Sequence, residues 1–338
     1  MIQLLVGMGL LGYAALILLV SVSLWIGIFH CLSKNRPILE TRPAPVARWG
    51  LFDVAGGTIA VIVLISYFFS IGSPGRPIGL EEMTIEQKST AMWGQMAAQS
   101  IVCVGLLFLI VLRGGVTLIL GSSAREFFQD VVLGLGAFCT LCVPVIIIQV
   151  IVAQFVEYDH PLIRMLQESP SPEILVPVVV SAVLIAPISE EFAFRLILQG
   201  WLEDVFSGRF LSAGEILFGR FGFPENDLQH SVSSWDSAPL NDQSAVVADS
   251  ESNVLYPQRP SLMVLPIIVS SIIFALLHWG QGAAWIPLFF LALGLGYIYQ
   301  KRRTLTPSLV VHMLLNGQSM GLLLLQIFFG DELTSPPV

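Results

Sequence analysis

Two adjacent glutamates and an arginine, Glu190, Glu191 and Arg195, stand in SEEFAFRLIL after some fifteen largely apolar residues. Charged groups in such surroundings are costly, about 2.5 to 3.5 kcal/mol for Asp, Lys or Arg at the centre of a membrane helix, so their positions mark the places where chemistry is worth seeking. On a helix Glu191 and Arg195 share a face at i and i+4, while Glu190 is turned away by about 100°. Glu191 and Arg195 are therefore expected to neutralise each other, which leaves Glu190 as the free carboxylate, able to take a proton. The bland alternative is a buried polar clamp between helices, but a clamp has no use for a second, unpaired carboxylate.

Two later stretches carry the remaining candidates. In FALLHWG, Phe274 and His278 share a helix face at i and i+4, and in HMLLN, His312 and Asn316 have the same spacing. A lone histidine at the end of an apolar helix is more often an interfacial anchor than a catalyst. Here, however, a carboxylate, two histidines and an amide fall in three separate apolar segments. His30 lies at the edge of such a segment, and His160 and His230 lie in polar stretches; these three are read as bystanders.

Such groups need elements to hold them, and composition says what those elements are. The chain has 338 residues, 55% hydrophobic and only 12% charged, with a mean hydropathy of +0.79, against about 25% charged residues in soluble domains. Lipid must solvate most of it. A net charge of -8 with no clustered basic face leaves no nucleic-acid partner to expect. Cys31, Cys103, Cys139 and Cys142 all fall in or beside apolar runs, where a free thiol acts as a small hydrophobe.

A helix needs roughly 20 apolar residues to cross the hydrocarbon. On that measure eight spans are read, at about 2–31, 50–73, 91–112, 130–155, 174–200, 261–280, 285–300 and 305–329, the seventh being short and carrying Gly294 and Gly296. The first run is too long for the core of a signal peptide and is expected to be retained. The fold class is thus all-α, a polytopic membrane helix bundle of about eight transmembrane helices. Residues 1–160 form an N-terminal four-helix membrane region and 174–329 a core, interrupted at about 207–260 by a polar insertion too rich in Ser, Asp, Asn and Pro to fold alone. The stretch FSGRFLSAGEILFGRFGF within it is amphipathic enough to dock on the membrane surface, with a solvated linker as the favoured reading.

Of the 16 Lys and Arg residues, twelve lie in alternate connections: Lys34, Arg36, Arg42, Arg48, Arg113, Arg125, Arg209, Arg220, Arg259, Lys301, Arg302 and Arg303. The other connections hold Arg76, Lys88 and Arg164. By the positive-inside rule the first set is cytoplasmic and both termini are outside. Depth can then be compared. Glu190 lies sixteen residues before Phe206 and His278 seventeen after Ser261, which at ~1.5 Å per residue puts them ~24 and ~26 Å above the same connection. His312, nine residues beyond Arg303, lies only ~14 Å up. To meet it, the fifth and sixth helices must protrude, tilt or break.

EEFAFR, FALLH and HMLLN, in this order and on successive late spans, resemble the EExxxR, FxxxH and HxxxN motifs of the CAAX-protease and bacteriocin-processing family of intramembrane proteases, whose members include type 2 CAAX prenyl endopeptidases and bacterial immunity proteins. The resemblance covers about 174–329, and the long insertion departs from the compact spacing usual in the family. It implies an endopeptidase in which Glu190 is the general base for a water that His278 also holds, while His312 and Asn316 donate to the oxyanion, with Glu191, Arg195 and Phe274 supporting the site. It also implies a membrane-associated peptide or protein as substrate, the lipid bilayer as the other partner, and an integral protein of a prokaryotic cytoplasmic membrane. On the cofactor two versions stay open. Glu190, His278 and His312 match the ligand types of some catalytic zinc sites, whereas Asn is a poor zinc ligand and the family also supports a metal-free glutamate mechanism, which residue chemistry slightly favours.

Two rivals come from other classes. A transporter or channel would use the same Glu and His side chains as a proton relay, and inverted repeats would favour it, yet the first half holds no counterpart of EExxxR. A catalytically silent membrane scaffold would be indifferent to Glu190→Gln.

Overall fold

A computed structural model describes residues 2–42, 49–72, 83–112, 123–156, 166, 170–208, 212–220 and 263–334. Among these the chain is helical and holds no strand. The helices are α1 (Ile2–Ser33), α2 (Leu51–Gly72), α3 (Ile85–Leu112), α4 (Ala124–Ala153), α5 (Pro172–Ser207), the short α6 (Ala213–Phe218), α7 (Leu265–Leu276), α8 (Trp285–Arg302) and α9 (Thr306–Thr334). A 3-10 segment, Trp279–Ala284, joins α7 to α8.

Six of these helices are long and apolar enough to cross a membrane, so the chain is a polytopic helical membrane protein. The expected count of eight is not reproduced among the described residues. The second span has a shorter apolar stretch, Leu51–Leu64, and the sixth is only the twelve-residue Leu265–Leu276, about 18 Å long. Pro266 stands in the first turn of α7, and beyond Leu276 the backbone leaves the helix, reaching φ 66° at Gly282. A short helix that stops inside the bilayer is tolerated where its freed backbone is buried in protein or lines a cavity.

α5 is the opposite case. Its 36 residues span about 54 Å against a hydrocarbon core of about 30 Å. It is not regular: Ser181–Ile185 and Glu191–Gln199 are wound as π-helix, with ordinary α-turns before, between and after. Such wider turns shift the face that following side chains present and recur at functional sites.

α4 lies against α9, α8 and α1, α7 against α8, α2 against α3, and α3 against the first turns of α5. Close approach is made possible by glycine at two points: a Cβ on Gly134 of α4 would stand 2.7 Å from Val310 of α9, and one on Gly296 of α8 would stand 2.9 Å from Gln199 and Ile267. Phe138, Cys142, Leu291, Leu295, Val311 and Leu315 fill the α4/α8/α9 seam. The four cysteines are free, and Cys142 is buried there, as packing requires.

One end of the bundle is tied by buried charge. Asp130 near the start of α4 is fully buried and receives Arg302 Nε (2.8 Å), Arg302 Nη2 (2.6 Å), Arg42 Nη1 (2.9 Å) and Thr304 Oγ1 (2.6 Å). Beside it Arg303 donates to Glu203 near the end of α5, whose other oxygen accepts from Gln199 Nε2 at 2.9 Å and Gln300 Nε2 at 3.3 Å. The segment after α1, the start of α4, the end of α5, the end of α8 and the start of α9 therefore all meet at this basic end. The first part of the polar insertion also folds onto it. α6 packs on α2, with Phe218 and Phe52 rings 5.0 Å apart, and its Ile216 carbonyl accepts from Trp201 Nε1 at 3.0 Å. That part packs on protein and is not a free linker. The polar run HSVSSWDSAPLNDQSAVVADSESN lies outside the described residues.

Candidate active site

The second π-helical stretch begins at Glu191, immediately after Glu190, so the two carboxylates are delivered in different directions. Glu191 is buried at 1% exposure and its Oε2 lies 3.4 Å from Arg195 Nε, the i,i+4 pair anticipated from spacing. Arg195 is wholly buried, with Nη1 donating to Ser270 Oγ of α7 at 3.4 Å. Ser270 in turn donates to the Phe194 carbonyl at 3.1 Å. The Glu191 carboxylate offsets the guanidinium charge, and the Arg195 Cζ lies 5.7 Å from the Phe274 ring centre. Glu190 keeps 26% of its side chain exposed and opens on a cavity.

His278 follows the last turn of α7, and its Nδ1 is 2.9 Å from the Phe274 carbonyl. A carbonyl only accepts, so Nδ1 carries the proton and Nε2 is left as the lone-pair nitrogen in the neutral ring. His312, buried at 2% exposure on α9, places Nδ1 3.0 Å from Glu191 Oε1 and Nε2 3.6 Å from Glu190 Oε2. Phe274 is the spacer that holds the rings: its centroid is 4.9 Å from His278, 6.0 Å from His312 and 5.1 Å from Phe194.

Asn316 Nδ2 donates to the Ala182 carbonyl at 2.9 Å. The reason lies in α5. In the first π-helical stretch the Ala186 N–H bonds to the Ser181 carbonyl, and the next donor along, residue 187, is proline and has no N–H. Ala182 thus lacks a backbone donor, and the Asn316 amide takes that place while keeping a second N–H.

Glu190, Phe274, His278, His312 and Asn316 line a single cavity of about 330 Å³. Glu191 and Arg195 stand behind its wall. Sequence reasoning missed the rest of the lining, in particular Gln95 and Gln99 of α3, Gln149 of α4, Gln281 and Gln318. The signal was present as neutral amides inside apolar spans, Gln95 and Gln99 at i and i+4, but attention to ionisable groups passed over it. Gln99 Oε1 is buried with no hydrogen-bond partner. Gln318 Oε1 accepts from Tyr13 of α1 at 2.6 Å, tying the first helix to the site.

The three groups named as zinc ligands share this cavity, and both histidines have Nδ1 occupied in the way metal-binding imidazoles do. Yet among the described residues no three of His, Cys, Asp and Glu stand together as a metal-holding group. The side chains as placed do not form a zinc site, and no step below runs through a metal.

The fold and cavity define a membrane-embedded helical protein with a carboxylate, two histidines and an amide around one cavity. Residues 252–318 match the family model described as type II CAAX prenyl endopeptidase Rce1-like. The match agrees with the resemblance read from the motifs, and at the family level it supports a CAAX-type intramembrane protease. It contains FALLH and HMLLN, while EEFAFR lies outside the matched residues. No curated protein and no solved structure matches the chain.

Proposed function

We propose that the chain is an intramembrane endopeptidase that hydrolyses a peptide bond of a membrane-associated substrate with a water activated by Glu190. The observation that carries this reading is the placement of Glu190 and His278 on the same cavity, one a partly open carboxylate and the other an imidazole with Nδ1 committed to the Phe274 carbonyl. Glu190 Oε and His278 Nε2 are then two acceptors for the two protons of one water, leaving its oxygen lone pairs for attack.

As that water adds to the carbonyl carbon, its proton passes to Glu190 and negative charge develops on the carbonyl oxygen. The second N–H of Asn316 and, in its doubly protonated form, His312 Nε2 donate to that oxygen, each donor being worth ~3 kcal/mol of barrier. Collapse breaks the C–N bond, and Glu190 returns the proton to the leaving amine. Glu191 positions His312 through Nδ1, and Arg195 supplies Glu191 with its opposite charge. The amides of Gln95 and Gln99 offer partners for the polar groups of an extended peptide backbone. We place the enzyme in a prokaryotic cytoplasmic membrane, in keeping with the bacterial members of the family it resembles.

The test is a proteome-wide comparison of peptide termini between wild-type cells and cells carrying Glu190→Gln. Termini that vanish in the variant are the expected result. Identical profiles, with the variant equally abundant, would reject the protease in favour of the relay or scaffold.

A further inference from the structure

The side of the membrane from which this cavity is entered can be read from where the bundle's charge and its cavity lie on the same helices. On α4, Asp130 marks the basic end and cavity-lining Gln149 lies nineteen residues further on, about 28 Å along the axis. On α5, Glu203 pairs with Arg303, while Glu190 and Ser181 line the cavity thirteen and twenty-two residues away. On α9, which begins beside the same cluster, the cavity lining runs from His312 to Leu323, six to seventeen residues from Thr306, about 9 to 26 Å. The end of α7 tells the same story: Met263 accepts from Gln300 near the basic end, and His278 is fifteen residues beyond it. The lining begins near the middle of α5 at Glu190 and within two turns of the basic end of α9 at His312, and from there it extends toward the helix ends remote from the charge cluster.

The route from the basic end is filled. Between that cluster and Glu190 lie Arg195, Leu196, Gln199 and Glu203, all at 0% exposure, and Leu196 packs with Trp49, Ile197, Tyr299 and Leu305. The outer part of the cavity, by contrast, includes exposed Gln149 and Ser319. The basic end carries Lys34, Arg36, Arg42, Lys301, Arg302 and Arg303, whereas the opposite helix ends bear Glu86 and Glu173 in their first turns and, among the described residues, one lysine, the buried Lys88. The excess of Lys and Arg sits on the cytoplasmic side of membrane helices.

Resting on the protease reading above, we infer that the cavity opens to the extracytoplasmic face and that its substrates are membrane-anchored peptides presented from that side. A lipidated C-terminus on the cytoplasmic surface would meet the buried layer of Arg195, Leu196, Gln199 and Glu203 before it reached Glu190. The neutral amide lining suits an extended backbone within a polypeptide, which brings polar peptide groups and no charge of its own.

Side and chemistry are tested separately. In protein whose Cys31, Cys103, Cys139 and Cys142 are replaced by serine or alanine, single variants Gln149→Cys, Ser319→Cys and Arg36→Cys are exposed to a membrane-impermeant maleimide in right-side-out and in inverted vesicles. The expected result is labelling of Gln149→Cys and Ser319→Cys in right-side-out vesicles, and of Arg36→Cys only in inverted ones. Labelling of all three in inverted vesicles alone would overturn the inference. In the termini profile, cut sites on extracytoplasmic segments are expected, and cut sites confined to cytoplasmic segments would overturn the substrate class even with the cavity facing outward. A profile unchanged by Glu190→Gln would overturn the protease reading and the substrate class together, while the labelling still decides the cavity's side.

Discussion

His312 Nδ1 lies 3.0 Å from Glu191 Oε1, so the carboxylate that neutralises Arg195 also orients the imidazole facing Glu190. Glu191 thereby links the buried ion pair to His312, which lines the cavity. Glu191→Ala and Arg195→Ala each strand an opposite charge in the core and are expected to cost roughly 3 to 5 kcal/mol, read as lost abundance and a lower melting temperature in detergent. Changing both to leucine should recover part of that stability. Proteolysis should not return with it, because His312 has lost its partner. A double variant that regains full activity would show that the Glu191–His312 bond is incidental.

Glu190 projects into the cavity with no buried ion pair depending on it alone, so Glu190→Gln is expected to leave abundance unchanged. Removing the general base should slow peptide hydrolysis by ~10²-fold or more, measured on purified protein with a quenched peptide. His278→Ala should act in the same direction, since the water loses its second acceptor. Cleavage by the wild-type protein is expected to survive exhaustive chelation. Loss of activity restored specifically by zinc would mean that Glu190, His278 and His312 rearrange into ligands.

Much of this was legible in the residues themselves. The Glu191–Arg195 pair follows from i,i+4 spacing, and the assembly of three motifs follows from the cost of burying charge without a use. What was not legible depends on backbone irregularity. A uniform 1.5 Å rise cannot register two π-helical stretches in α5 or a 12-residue α7 that ends beside the cavity, and both change where Glu190 and His278 sit relative to His312. The bond from His312 to Glu191 joins helices distant in sequence, for which periodicity carries no signal, whereas the Gln95 and Gln99 pair on α3 was legible in its spacing.

Asn316 has two duties that one pair of substitutions separates. Asn316→Ala leaves the Ala182 carbonyl without a donor inside the bundle, a loss of about 1 to 3 kcal/mol, and it also removes the proposed oxyanion donor. Pro187→Ala supplies the missing backbone N–H at the position that can reach Ala182. The double variant should therefore regain thermal stability relative to Asn316→Ala and still show the loss in kcat. Joint recovery of stability and kcat would assign Asn316 a purely structural role.

Gln99 gives the sharpest contrast between folding and binding. Its Oε1 is buried in the cavity lining with no partner among the protein's own groups, so its hydrogen bond must come from water or a ligand in the cavity. Gln99→Leu fills similar volume and removes the unpaired acceptor, so the folded protein should be as stable as wild type or more so. Loss of one hydrogen bond to the substrate backbone, about 0.5 to 1.5 kcal/mol, should raise KM roughly 2- to 10-fold with kcat little changed. Gln95, one turn away on the same face of α3, should show the same KM effect in Gln95→Leu. If both leucine variants bind and cleave peptide as wild type does, the α3 face is not where the backbone lies, and the substrate must run along α4 and α9 instead.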